Sequence, residues 1–199
     1  MSSSRFSHLH FALPDWVDLV VPPAEQRYER DEEKMRLALT LAAENIRRGE
    51  GGPFGAAIFD AAAGSLLAVG VNQVVPSRWS AAHAEMVAYA VAQQRLGSHD
   101  LGAPGMPVYE IFSSTEPCAM CMGATLWAGV RRLVCSARGE DAEAIGFDEG
   151  PKPANWPATL EERGISVKRD LLREEGIAVL QEYSGRGGDI YNSRRGSQR

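Results

Sequence analysis

Between residues 31 and 48 the apolar positions Met35, Ala38, Leu39, Ala42 and Ile46 recur at three- and four-residue steps, which predicts an amphipathic helix. Asp31 is its expected N-cap and Gly49 its expected stop. Residues 1–30 show no sustained period and contain Pro14 and Pro22-Pro23, so they predict an extended arm, partly docked through Trp16, Val17, Leu19, Val20 and Val21. After the turn Gly51-Gly52-Pro53, apolar runs at 54–59 and 66–71, joined by a short Gly-containing loop, predict a β-hairpin. Residues 72–80 read as a loop because Pro76 and Ser77 interrupt them, and 81–96 as a helix carrying Met86, Val87, Tyr89, Ala90 and Val91. A loop at 97–107, a strand at 108–113, a helix at 118–129 and a strand at 131–137 follow. Residues 140–150 are rich in acids and take no element in this reading. Then come a Pro-broken loop at 151–157, a short helical piece at 158–163 and a strand at 165–168. Asp170 is expected to cap a last helix running to about Tyr183. Residues 184–199 are Gly-rich and polar, with Arg186, Arg194, Arg195 and Arg199 against Asp189.

Strands alternating with helices define an α/β fold. At 199 residues and 44% hydrophobic, the chain is expected to form one domain with tails: an arm at 1–30, a body at 31–183 and a tail at 184–199. The net charge of −5 argues against a polyanion as the main partner, so nucleic acid is an unfavoured ligand, although the arginines of the tail form a local basic cluster. Three cysteines, two of them in a C-x-x-C, make no even disulfide framework and fit a reducing compartment, the cytoplasm. Arg5, His8, His10, Pro14 and Asp15 break the first twenty residues, which leaves no apolar signal core or membrane span there.

His83-Ala84-Glu85 opens one predicted helix and Pro117-Cys118-Ala119-Met120-Cys121 opens another. His83, Cys118 and Cys121 are three metal ligands with no evident fourth, which is the donor count of a catalytic zinc that keeps one position for water. Both groups lie at strand-to-helix junctions, where positive helix ends favour thiolate over thiol. A core histidine with two buried thiols is the alternative, but the Pro before Cys118 and the helix-start setting of both groups favour the metal. Glu85 stands two residues from a ligand, too close along the helix to share the metal easily, yet able to reach its water as a proton carrier. Cys135 has no partner at ligand spacing and reads as a small buried hydrophobe.

The combination H-x-E and P-C-x-x-C is the signature of zinc-dependent nucleobase deaminases. With Gly51-Gly52-Pro53-Phe54-Gly55-Ala56, Asn72, Glu116 ahead of the cysteine pair, and Gly146-Phe147-Asp148-Glu149, the chain resembles the guanine deaminases of the cytidine deaminase-like superfamily. The resemblance implies a three-layer α/β/α sandwich around a central mixed sheet, one zinc per subunit, and a homodimer in which the C-terminal segment of one subunit covers the other's site. It implies substrate contacts from Asn72, Phe54, Ala84 and Trp127, and a second proton-transferring carboxylate at Glu149, where some members have Asp. For Phe54 and Trp127 core packing is the alternative, and for Trp127 the residues alone leave it equally open. Tyr191 is a candidate for the covering tail. The expected reaction is hydrolytic deamination of a free purine base, guanine to xanthine and ammonia. The alternatives are another amino-substituted ring (cytosine, isocytosine, an aminotriazine, a pterin), a tRNA adenosine, or a zinc-bearing scaffold without activity.

Overall fold

A computed structural model describes residues 11–192. Its helices are α1 (Val17–Val20), α2 (Asp31–Arg47), α3 (Val74–Ser77), α4 (Ala84–Leu96), α5 (Ala119–Ala128), α6 (Gly139–Ala144), α7 (Trp156–Glu161) and α8 (Arg173–Gly185). The strands are β1 (Gly55–Asp60), β2 (Leu66–Val71), β3 (Tyr109–Thr115), β4 (Arg132–Ala137) and β5 (Ser166–Lys168), in the order β2-β1-β3-β4-β5. β1 is antiparallel to both β2 and β3, and β3, β4 and β5 run parallel. The sheet is therefore mixed, and helices cover both faces: α2 and α8 on one, α4 and α5 on the other. This is the three-layer α/β/α sandwich that the resemblance implies.

Side-chain alternation explains the layering. Ala56, Ile58, Ile111, Leu133 and Cys135 join the core under α4 and α5, while Ala57, Phe59, Phe112 and Val134 join the core under α2. Two glycines set how closely the layers approach. A Cβ on Gly55 would run into the carbonyl of Ala38 in α2, and one on Gly70 into the carbonyl of Ala84 in α4. Bare backbone at both positions lets each helix lie directly on the hairpin.

Several local expectations are corrected. Asp31 is the first residue of α2 and not its cap; Arg30, extended at φ −108 and ψ 144, takes that place, and Glu33 reaches back to accept from the Arg30 amide at 3.2 Å. The end of the helix is as expected: Gly49 follows the C-cap Arg48 in the left-handed region at φ 71, and the Gly49 and Glu50 amides donate back to Ile46 and Asn45, both at 3.1 Å. Asp170 does not cap α8. It lies at φ 65 with its carboxylate held by Arg138, and Leu172 precedes the helix. The 72–80 loop contains α3, whose Pro76 falls in the first turn, where a missing amide costs nothing. The acid-rich stretch contains α6, started by the Arg138 amide donating to Asp141 at 2.7 Å.

Part of the arm is ordered against the body. Trp16 and Val17 are buried at α1, the Trp16 indole donates to Glu50 at 3.0 Å, and the Tyr28 ring meets Phe59 edge-on with centroids 5.0 Å apart. Leu19, by contrast, is exposed. Among the described residues no helix is long and apolar enough to cross a membrane.

Candidate active site

α4 and α5 begin beside one another at one edge of the sheet's layers, and their first residues carry the chemistry. His83 is the N-cap of α4 and Cys118 the N-cap of α5, both with extended backbone. The expectation placed His83 within the first turn; its ψ of 156 puts it just outside. From these positions His83 Nδ1 lies 3.5 Å from Cys118 Sγ, and the ligand atoms of His83, Cys118 and Cys121 all fall within 4.8 Å of one another. Bonds of about 2.1 and 2.3 Å to one tetrahedral zinc would set N and S about 3.6 Å apart, so the spacing fits. Among the described residues no fourth His, Cys, Asp or Glu joins the group. The donor set is thus that of an open zinc centre.

The charges around it are consistent with metal binding. The Cys121 thiol beside Cys118 holds the Cys118 pKa down to about 4, helped by His83, while burial opposes the shift. Cys121 is pushed up, first by its hydrogen bond to Cys118 and then by burial. A dication bound between the two sulfurs would favour the thiolate form of both. Burial works against charge on His83, but its hydrogen bond to Cys118 and the nearby negative groups raise its pKa.

Glu85 is 6% exposed, and its carboxylate accepts from the Ser113 hydroxyl of β3 at 3.3 Å. Burial, seconded by the charge of Cys118, raises its pKa. Glu149 sits on the segment before α7, where burial lifts it to about 7 against the pull of Lys152. Two carboxyls near one metal site, both shifted toward neutrality, are suited to carrying protons.

A cavity of about 300 Å³ opens over this group, walled by Phe54, His83, Cys118, Phe147, Glu149 and Tyr191 among others. Phe54 and Phe147 meet edge-on at 5.0 Å, and Phe147 and Tyr191 at 5.2 Å. Asn72 lies fully buried behind this wall. Its side-chain amide donates to the Tyr191 hydroxyl at 2.7 Å, and its backbone carbonyl accepts from the buried Asn45 side-chain amide at 2.9 Å. Asn192 ties the same C-terminal segment down, donating to the Gly146 carbonyl at 2.7 Å and accepting from the Asp148 amide at 2.9 Å.

The structure brings together His83, Glu85, Cys118, Cys121, Asn72, Phe54, Glu149 and Tyr191. Ala84 is buried against β2 and is not part of the cavity wall. Trp127 is a correction: it is 81% exposed, neither packed in the core nor facing its own chain's cavity. Nine residues beyond Cys118 it has turned about half a revolution round α5, to the opposite side. There it lines a separate surface depression with Trp79, Met86 and Ala90. Nothing local in the sequence marks Ser113 or Lys152, whereas Phe147 belongs to the Gly146-Phe147-Asp148-Glu149 motif. Cys135 is fully buried in the core, as expected.

The family model for the cytidine and deoxycytidylate deaminase zinc-binding region matches residues 28–137, and the chain belongs to that family of zinc-dependent aminohydrolases. Within it, the similarity runs to guanine deaminases. The guanine deaminase of Bacillus subtilis is 37% identical over 142 residues, 70% of this chain and 85% of its own. A solved guanine deaminase from Nitrosomonas europaea shares 47% identity at a TM-score of 0.84, covering 89% of this chain and 97% of that one. A structure of NE0047 in complex with 2,6-diaminopurine gives 48% and 0.85, over 93% and 97%.

Proposed function

We propose that the protein hydrolyses the exocyclic amine of guanine, giving xanthine and ammonia. The observation that carries this reading is the aromatic-walled cavity of about 300 Å³, which sets an open three-ligand group beside two protonatable carboxyls and suits a free base in size. The guanine deaminase relatives and the diaminopurine complex support the choice of purine. One zinc per chain on His83, Cys118 and Cys121 would supply a hydroxide nucleophile at neutral pH, by lowering the pKa of bound water from about 15.7 to about 7.

Glu85 is placed to accept a proton from the attacking water and to pass it to the ring nitrogen next to the attacked carbon. Glu149 gives a proton to the amine, the C–N bond breaks to release ammonia, and the carboxylate takes back the proton of the new hydroxyl as the carbonyl forms. Asn72 reads the base edge once its amide exchanges the Tyr191 hydroxyl for the ring. Phe54 packs against the purine plane, with Phe147 behind it. A screen of ammonia release over guanine, guanosine, cytosine, isocytosine, aminotriazines, pterins and a tRNA anticodon stem tests the reading. Guanine is expected to be turned over fastest; turnover of RNA that falls steeply with salt would overturn it.

The chain also fits a homodimer formed on the face that carries Trp127. Trp127 and Met120 are exposed on α5, next to the depression lined by Trp79, Met86 and Ala90. The free thiols of Cys118, Cys121 and Cys135 fit a reducing cytoplasm.

A further inference from the structure

Lys152 lies three residues beyond Glu149, with only 13% of its side chain exposed, and it belongs to none of the motifs above. Its ammonium donates to Glu149 Oε2 at 3.3 Å and to the carbonyl of Pro117 at 3.0 Å. Pro117 is the residue before Cys118, so one amine joins the second carboxylate to the start of α5. The same segment is stitched there a second time by the Ala119 amide, which donates to the Glu149 carbonyl at 2.9 Å. The ring of Trp156 lies 5.9 Å from the amine. Backbone of Gly139 closes another side: a Cβ built there would stand 2.9 Å from Nζ. Glu149 Oε1, in contrast, makes no hydrogen bond to the described residues, and Glu149 lines the cavity. Among the described residues, one oxygen is fixed and the other is free to meet a ligand.

We propose that Lys152 is a positioning residue for the reaction: it clamps Glu149 Oε2 to the Pro117 carbonyl and so aims Oε1 at the amine of the bound ring. This rests on the deaminase reading. A lysine serves where a point charge must satisfy two acceptors on different segments, since its three donors rotate freely on one nitrogen.

The test measures kcat, KM, zinc content and melting temperature for Lys152→Met, Lys152→Arg, Glu149→Gln and the Lys152→Met/Glu149→Gln double variant, on the ring that the wild type turns over fastest in the screen. Lys152→Met is expected to lose about 10- to 100-fold in kcat, the scale on which a misplaced reacting group is felt, with KM changed far less and zinc retained. Lys152→Arg, which keeps the charge but not the compact ammonium, should recover only part of the loss, and in the Glu149→Gln background Lys152→Met should cost little more, because the two act as one unit. Should Lys152→Met fail to fold, Gly139→Ala presses on the amine without removing it, and the same fall in kcat is expected. Unchanged kcat in these variants, losses that multiply independently in the double variant, or loss of zinc together with activity would overturn the proposal. Activity on a ring other than guanine would sink the substrate reading alone and leave the role of Lys152 to be decided by the same four proteins; no turnover of any ring would sink both.

Discussion

In the proposed reaction Glu85 carries the protons, and its setting separates it from a helix-start acid that merely faces a dipole. It is buried, takes a hydrogen bond from Ser113, and is held above its usual pKa by burial. Glu85→Gln removes the proton carrier but neither a ligand nor much volume. It is expected to keep zinc and to lose at least about 10²- to 10⁴-fold in turnover, as positioned proton transfer contributes on that scale; metal analysis beside steady-state kinetics checks both halves, and near-normal turnover would remove Glu85 from the mechanism. His83, Glu85, Cys118 and Cys121 were legible in the sequence because each stands at a helix start whose local signals are strong. Trp127 was not, since α-helical phase alone could not say whether its face meets a cavity or solvent. Nor could Tyr191, 119 residues from Asn72, show its hydrogen bond to that amide.

At the scale of elements, α2 is tied to the sheet by charge as well as by its apolar stripe. Asp31 accepts from Arg132 at 2.8 and 2.6 Å and from Lys168 at 2.8 Å, and Arg132 continues to Glu110, which receives the buried Lys34. The Arg132 guanidinium, first of its causes, holds the Asp31 carboxyl well below the usual range. A depressed carboxylate pKa contributes stability that is complete above the unfolded value, about 3.9, and is lost as pH falls below it. Melting temperature is therefore expected to drop more steeply in the wild type than in Asp31→Asn as pH falls from about 4 down through the depressed folded value of Asp31. Parallel pH profiles would show that the pair adds nothing. The sequence assigned Asp31 to the cap because its type and place suited one; only the tertiary partners Arg132 and Lys168 explain why it sits a residue inside. α6 escaped notice for a related reason, its start depending on the Arg138 amide meeting Asp141 and its packing on α8.

For the whole molecule, hydrophobic period gave most strands and helices, but not the sheet order. That β1 lies between β2 and β3 is settled by packing: its two faces carry Ala56 and Ile58 to one core and Ala57 and Phe59 to the other. The face left open, around Trp127, bears on assembly. Trp127→Glu sets a charge in a patch that a second copy would bury, so sedimentation should find a dimeric wild type and a monomeric variant, while a monomeric wild type would dismiss the dimer. The central claim is that three ligands, an open position and an adjacent acid make this a zinc aminohydrolase acting on a purine. Its most direct test is titration of zinc into metal-stripped protein with ammonia release from guanine as the readout. The account predicts turnover that rises linearly and levels at one zinc per chain; turnover indifferent to zinc, or a zinc-loaded protein inert toward guanine, would contradict it.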